Sequence, residues 1–303
     1  MWTTDFDRFV APARARPALW RVLLGFLIVA VGFALGFAAM LVALIAAFGP
    51  DGANAYLGTL ATGGGTPTMV VLMLAVFIGP LLAVMAVARL LHGRPAATLF
   101  GPNLGRGFMT AVVIAALVYA AVTLLLPMPF RPVPNTPLSL FLSFLPLALV
   151  GIAIQTGAEE VVFRGYLQQQ LAARFRHPIV WMGLPAIAFG LLHGDPSGGT
   201  EDLWLMLPPT LFGLIAADLT RVTGSIGAAW GLHFLNNCSA ILLLSVDGNL
   251  SGLSLYRTPF GIEALSLADP LIWQEMLTTI IVWVCIRLWL ARRSTGTGAV
   301  EDA

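Results

Sequence analysis

Long apolar runs recur along the whole chain, and they constrain its fold more than any other feature. Eight of them approach the roughly 20 residues that a helix needs to cross the hydrocarbon core of a bilayer. They cover residues 20–48, 69–91, 107–126, 144–172, 178–194, 203–220, 225–246 and 270–291. Of the 303 residues, 58% are hydrophobic and only 10% are charged, against about 25% in a soluble domain. The sequence therefore predicts an all-α, polytopic membrane protein with about eight transmembrane helices.

Glycine and proline are concentrated between these runs, and they divide the chain into three parts. We expect three helices within residues 1–126, a group of four within 138–246, and a last helix within 270–293. Most arginines fall in alternate connections, starting with the N-terminal segment, whereas the other side holds only Arg131 and Arg257. Because basic residues accumulate on the cytoplasmic side of membrane proteins, both termini are expected to be cytoplasmic.

The basic residues also indicate which partners to expect. All 16 of them are arginine, which suggests a GC-rich coding bias and hence a bacterial inner (plasma) membrane protein. They are scattered over short loops rather than collected on one surface, so the sequence does not predict a nucleic-acid partner. The lipid bilayer is the expected surrounding.

Three charged residues stand inside one of the apolar runs. Glu159, Glu160 and Arg164 lie in the middle of residues 138–171, where each charge costs roughly 2.5–3.5 kcal/mol to place in a membrane. Glu160 and Arg164 are four residues apart, so on a helix they can form an ion pair. Glu159 is rotated by about 100° from that pair and has no local partner. A carboxylate of this kind is a candidate general base.

Two other runs carry polar residues at the same expected depth. At about 1.5 Å per residue, Glu159, His193, His233 and Asn237 all fall roughly 18–24 Å from the predicted cytoplasmic face. His233 and Asn237 share one helical stripe because they are four residues apart, and His193 has the same relation to Phe189. We therefore expect a polar cavity bounded by the fourth, fifth and seventh helices.

Such a set of side chains suits hydrolysis by an activated water. Glu159 can take a proton from water, His193 can position the water or bind a metal, and His233 with Asn237 can donate hydrogen bonds to an oxyanion. Glu159, His193 and His233 also match the ligand types of a catalytic zinc ion with an open coordination position. The sequence leaves the zinc and the metal-free versions open. A third interpretation treats the polar set as a packing network between helices.

Competing protease mechanisms lack their residues. The chain has no His-Glu-x-x-His motif, which a zinc protease of that type requires, and no Gly-x-Ser-x-Gly motif. A pair of intramembrane aspartates is missing as well, because Asp195 belongs to a predicted loop.

Three short motifs resemble those of one known family. Glu159 to Arg164 fits Glu-Glu-x-x-x-Arg, Phe189 to His193 fits Phe-x-x-x-His, and His233 to Asn237 fits His-x-x-x-Asn. In this order they are similar to the CPBP intramembrane proteases, which join CAAX prenyl endopeptidases to bacterial Abi and bacteriocin-processing or immunity proteins.

The resemblance implies a role for each matched position. Glu159 would activate water, His193 would be catalytic, and His233 with Asn237 would form the oxyanion site, while Glu160 and Arg164 organise their helix. It implies a membrane-associated or lipidated peptide as the substrate, and it leaves both a metal-dependent and a glutamate-dependent mechanism open. The alternative is a non-enzymatic protein of the same fold, acting in bacteriocin self-immunity or as a scaffold or transport partner.

Overall fold

A computed structural model describes residues 2–61, 65–126, 128–194, 204–248 and 250–301, and for residues 60, 61 and 293–301 it describes the backbone alone. The chain is mostly helical, at 79%. The α-helices, in chain order, are α1 Thr4–Val10, α2 Leu19–Ala61, α3 Pro67–Ala75, α4 Ile78–Leu90, α5 Leu104–Leu125, α6 Leu138–Glu160, α7 Gln169–Arg174, α8 Leu184–Leu191, α9 Leu207–Thr223, α10 Gly227–Cys238 and α11 Pro270–Glu301.

Six helical stretches of the described residues are long and apolar enough to cross a membrane. They are Leu19–Thr59, Pro67–Leu90, Ala96–Leu125, Leu138–Arg174, Trp204–Thr223 and Pro270–Arg292. The fifth and seventh predicted spans correspond to shorter helical stretches, Ile179–Leu191 and Gly227–Leu243. The described residues thus confirm a multi-pass helical protein with six candidate spans, and the predicted number of eight stays a prediction.

Helix α2 contains the break that its sequence predicts. Gly49 adopts φ 71°, a left-handed conformation that favours glycine, and Pro50 follows it inside the helical stretch. A pair of glycines, Gly32 in α2 and Gly79 in α4, brings these two helices close together. A Cβ atom added to Gly79 would lie 2.0 Å from the carbonyl oxygen of Gly32, so only glycine allows the two backbones to approach this closely.

The all-α prediction is wrong in one respect, because the chain also forms a small sheet. Its strands are β1 Val133–Pro134, β2 Leu244–Asp247 and β3 Tyr256–Gly261, in the order β1-β3-β2. β1 pairs antiparallel with β3, through Val133 and Arg257, whereas β2 runs parallel to β3. The predicted seventh span continues to residue 246, but its last residues belong to β2. β1 has only two residues and lies more than 100 residues before its partner β3, so the pairing does not show as a pattern in the sequence.

The largest hydrophobic core lies around the segment that follows α6. Residues Val161–Gln168 form a π-helix, a rare form that is frequent at functional sites. Together, α6, this π-helix and α7 make one continuous helical stretch, which begins six residues before the predicted 144. Helix α10 packs against α5, α6 and α9, and α8 packs against α9 and the π-helix. The helices that carry the three sequence motifs therefore pack around one core.

Candidate active site

The predicted pair of Glu160 and Arg164 is present and fully buried. Arg164 Nη1 donates to Glu160 Oε1 at 2.9 Å, and the two side chains are 2% and 0% exposed. Three phenylalanine rings surround the guanidinium, with that of Phe189 closest at 4.7 Å from Cζ to the ring centroid. Arg164 is thus held by a carboxylate on one side and by aromatic faces on the other, an arrangement suited to a desolvated guanidinium.

Helix α10 brings His233 against both glutamates. Its Nδ1 lies 2.8 Å from Glu160 Oε1, and its Nε2 lies 3.4 Å from Glu159 Oε2. Because Glu160 Oε1 also accepts from Arg164 Nη1, its geometry suits it to accept a second hydrogen bond from His233 Nδ1. The expectation that Glu159 has no local partner holds within its own helix, but across the helix interface His233 is its neighbour.

Glu159 combines burial with an uncommitted oxygen. Its side chain is 13% exposed, and Oε2 is a buried atom without a hydrogen-bond partner among the described residues. Buried polar atoms of this kind are rare in folded proteins and often mark a functional role. With His233 Nε2 facing it, this oxygen is the point where a proton can be exchanged.

His193 lies just beyond the end of α8 and is joined to the site through Phe189. Its Nδ1 donates to the Phe189 carbonyl oxygen at 2.8 Å, and the two ring centroids are 4.4 Å apart. The ring of Phe189 is also 5.8 Å from that of His233. The two histidines therefore contact the same aromatic ring. No hydrogen bond or ion pair of the described residues links His193 directly to Glu159.

Asn237 has a partner that sequence reasoning missed. Its Nδ2 donates to Oε1 of Gln155 at 2.7 Å, and Gln155 is buried on α6. Gln155 precedes Glu159 by four residues, so both side chains stand on the same face of α6. This four-residue spacing is the sequence feature from which Gln155 could have been assigned to the site. The bond fixes the orientation of the Asn237 amide and leaves its second N–H for another acceptor.

The predicted polar cavity between these helices stays a prediction. A pocket of about 450 Å³ lies elsewhere, at the sheet, where Asn135, Asp247, Arg257 and Glu263 are among its lining residues. Asp218 and Arg221, three residues apart near the end of α9, form a local ion pair at 2.6 Å that lies outside the candidate site.

Glu159, His193 and His233 are the side chains that could bind a metal ion at this site. In each histidine, Nδ1 lies at hydrogen-bond distance from an oxygen atom, so that Nε2 is the nitrogen that could bind a metal. Metal-binding imidazoles are oriented in this way. However, within the described part of the chain no three His, Cys, Asp or Glu side chains lie together in a way that could hold a metal ion. The residues therefore do not fit a three-ligand centre in this arrangement, and the zinc site of Glu159, His193 and His233 stays a prediction.

Comparisons with known proteins agree with the motifs. Residues 140–239 match the family model described as type II CAAX prenyl endopeptidase Rce1-like. An uncharacterized protein of Bacillus subtilis (strain 168), YyaK, is 28% identical over 162 residues, which cover 52% of this chain and 51% of that protein. The chain thus spans about half the length of the curated relative that it matches. No solved structure matches. The apolar helices identify an integral, multi-pass membrane protein, and residues 140–239 of it are similar to the Rce1-like type II CAAX prenyl endopeptidases.

Proposed function

We propose that this protein is an intramembrane endopeptidase that hydrolyses a peptide bond of a membrane-associated or lipidated peptide. The observation that carries the proposal is the buried, unbonded Glu159 Oε2 at 3.4 Å from His233 Nε2. Glu160 also has a buried oxygen without a hydrogen-bond partner, but its side chain is 0% exposed and paired with Arg164, whereas the Glu159 side chain is 13% exposed. A general base needs a free oxygen for the proton that it takes from water.

The proposed reaction begins with water between Glu159 and the substrate carbonyl. Glu159 takes a proton as the water oxygen bonds to the carbonyl carbon, and the C=O electron pair moves to oxygen. The second Nδ2–H of Asn237 is available to stabilise this oxyanion. When the C=O bond re-forms, the C–N bond breaks, and the amine nitrogen takes the proton from Glu159.

His233 and His193 support this step in different ways. His233, held between two carboxylates, orients Glu159 and in its protonated form adds a donor at Nε2. His193 Nε2, free of the bond that occupies Nδ1, positions the water or the leaving nitrogen. We place the termini on the cytoplasmic side of a bacterial inner membrane, as the distribution of arginines predicts.

A reconstituted cleavage assay tests the proposal. The purified protein in liposomes is incubated with membrane-tethered and C-terminally lipidated peptides in H₂¹⁸O, and mass spectrometry detects new carboxyl ends that carry ¹⁸O. We expect cleavage by the wild type, and a rate about 10²–10⁴-fold lower for His193→Ala. Cys238→Ser is the matched control, because this free cysteine is outside the proposed chemistry.

Two outcomes would count against the proposal. If no peptide class is cleaved, or if His193→Ala cleaves as fast as Cys238→Ser, the scaffold or immunity alternative is favoured.

The same preparation decides whether the activity depends on a metal ion. One bound zinc per chain with activity lost on chelation supports the metal version, whereas full activity of metal-free protein rejects it.

Gln155 gives a second prediction, as a positioning residue that acts through Asn237. Gln155→Leu removes the acceptor of the 2.7 Å bond, so the amide of Asn237 is free to rotate. We expect kcat to fall roughly 10–100-fold with little change in KM, as is typical when a supporting partner is lost. The measurement is a steady-state comparison with wild type.

A double mutant separates positioning from a general structural effect. If Gln155 acts through Asn237, Gln155→Leu should have almost no further effect on kcat in an Asn237→Ala background. Additive losses in the double mutant would show that Gln155 acts in some other way.

A further inference from the structure

Three arginines lie close in the fold where α2 begins and α4 ends, and all three act through their charges on His92. Nη1 of Arg16 and Nη1 of Arg21 both point to the carbonyl oxygen of Leu91, at 3.5 and 2.6 Å. Arg94 follows Leu91 by three residues and is 4% exposed. We call Arg16, Arg21 and Arg94 the arginine cluster. None of the three belongs to the candidate active site.

The arginine cluster has no carboxylate partner among the described residues. Within the described part of the chain, no carboxylate lies at ion-pair distance from any of the three guanidinium groups. Nη1 of Arg94 donates to Thr98 Oγ1 at 2.9 Å and to Gln169 Oε1, but its Nε and Nη2 are buried and have no partner. A buried guanidinium with two unpaired donors is costly unless an anion compensates for it.

The titration of neighbouring groups is in agreement with this excess of positive charge. Burial lowers the pKa of the His92 imidazole to about 4, and the charges of Arg94, Arg21 and Arg16 lower it as well. Burial likewise lowers the pKa of Arg94 to about 10, which leaves this guanidinium charged at neutral pH. Like charges held this close together repel one another, so binding of an anion would relieve the repulsion.

The position of the arginine cluster indicates which kind of anion. Trp20 is 58% exposed and Leu23 is 73% exposed on the outer surface of α2, where a membrane-spanning helix contacts lipid. The Arg21 guanidinium lies 5.0 Å from the Trp20 ring centroid. Tryptophan at the end of a spanning helix marks the level of the lipid headgroups. The arginine cluster thus lies at the depth of the lipid phosphates.

We propose that the arginine cluster is a binding site for the phosphate-bearing headgroup of an anionic phospholipid. Arg16 and Arg21 donate to the phosphate oxygens, since their guanidinium groups are accessible and already converge on one oxygen atom. The buried guanidinium of Arg94 adds positive charge to the site. Basic pockets between spanning helices are known to take headgroups of this class.

Lipid titration of the full chain in a non-ionic detergent tests this site. Native mass spectrometry measures the binding of phosphatidylglycerol and phosphatidylcholine, with inorganic phosphate as a separate titration. We expect wild type to prefer phosphatidylglycerol, and the double variant Arg16→Gln, Arg21→Gln to bind it about 30-fold more weakly, since each arginine that donates to the headgroup contributes roughly fivefold.

The matched control removes the same charge from the same side of the protein. Arg89 and Arg106 are exposed and lie outside the arginine cluster, and the double variant Arg89→Gln, Arg106→Gln should bind phosphatidylglycerol within about threefold of wild type. An equal loss in both double variants, or equal binding of the two lipids, would overturn the site. Inorganic phosphate that binds as tightly as phosphatidylglycerol would instead assign a soluble phosphate ligand and overturn the lipid.

Discussion

Glu159→Gln is expected to abolish peptide cleavage and to leave the protein folded. Glutamine has the same shape as glutamate but cannot take a proton from water, so the rate should fall by about 10²–10⁴-fold or more. Stability should change little, because Glu159 Oε2 makes no hydrogen bond among the described residues and glutamine keeps the shape of the side chain that faces His233. The measurement pairs the liposome cleavage rate with the thermal unfolding temperature in detergent.

A control carboxylate separates this loss from a general effect of charge. Glu263→Gln removes an exposed carboxylate that lines the pocket at the sheet, away from the π-helix, and should cleave at the wild-type rate. If Glu159→Gln retained wild-type activity, Glu159 could not be the base, and the proposed mechanism would be rejected even if cleavage itself had been demonstrated.

The parts of the site that sequence predicts are those set by helix geometry. Glu160 and Arg164 are four residues apart, and a helical chain must bring them together, as the 2.9 Å ion pair confirms. The depth calculation is also local, since it depends only on the rise per residue. It gives the level of His233 in the membrane, but not the direction in which the ring points.

Contacts between side chains of different helices cannot be predicted from the sequence, because they depend on how each helix is rotated about its axis relative to the others. His233 bonds to Glu160 and approaches Glu159 across 73 positions of sequence, and nothing in either helix alone fixes that contact. A buried helix gives no amphipathic pattern from which its inner face could be identified. For the same reason the Gln155–Asn237 bond was missed, although the spacing of Gln155 and Glu159 was visible.

The small sheet was missed for a different reason. β1 has two residues in a proline-rich connection, and its partner β3 is more than 100 residues away. β2 follows the helical stretch of His233 without a polar break, so apolar composition alone extends the predicted helix through it. Short strands with distant partners carry too few residues for a period of two to be recognised.

Arg164→Met is expected to produce the largest loss of stability in this chain. The substitution leaves the Glu160 carboxyl group buried with only His233 as a polar partner among the described residues, and breaking a buried ion pair in this way costs about 3–5 kcal/mol. Methionine fills much of the volume among the surrounding phenylalanine rings. The loss of stability is therefore caused by the missing positive charge rather than by a cavity. Denaturant unfolding in detergent micelles measures the change.

Two comparisons decide whether the buried charge is the cause. Arg257→Met breaks an exposed pair with Asp247, in which both side chains are about 40% exposed, and should cost roughly 0–1 kcal/mol. Adding Glu160→Gln to Arg164→Met removes the uncompensated carboxylate, so the double variant should recover part of the lost stability. If Arg164→Met were as stable as Arg257→Met, the ion pair could not be what holds the π-helix in place. The fixed position of Glu159, one residue before that pair, would then need another cause.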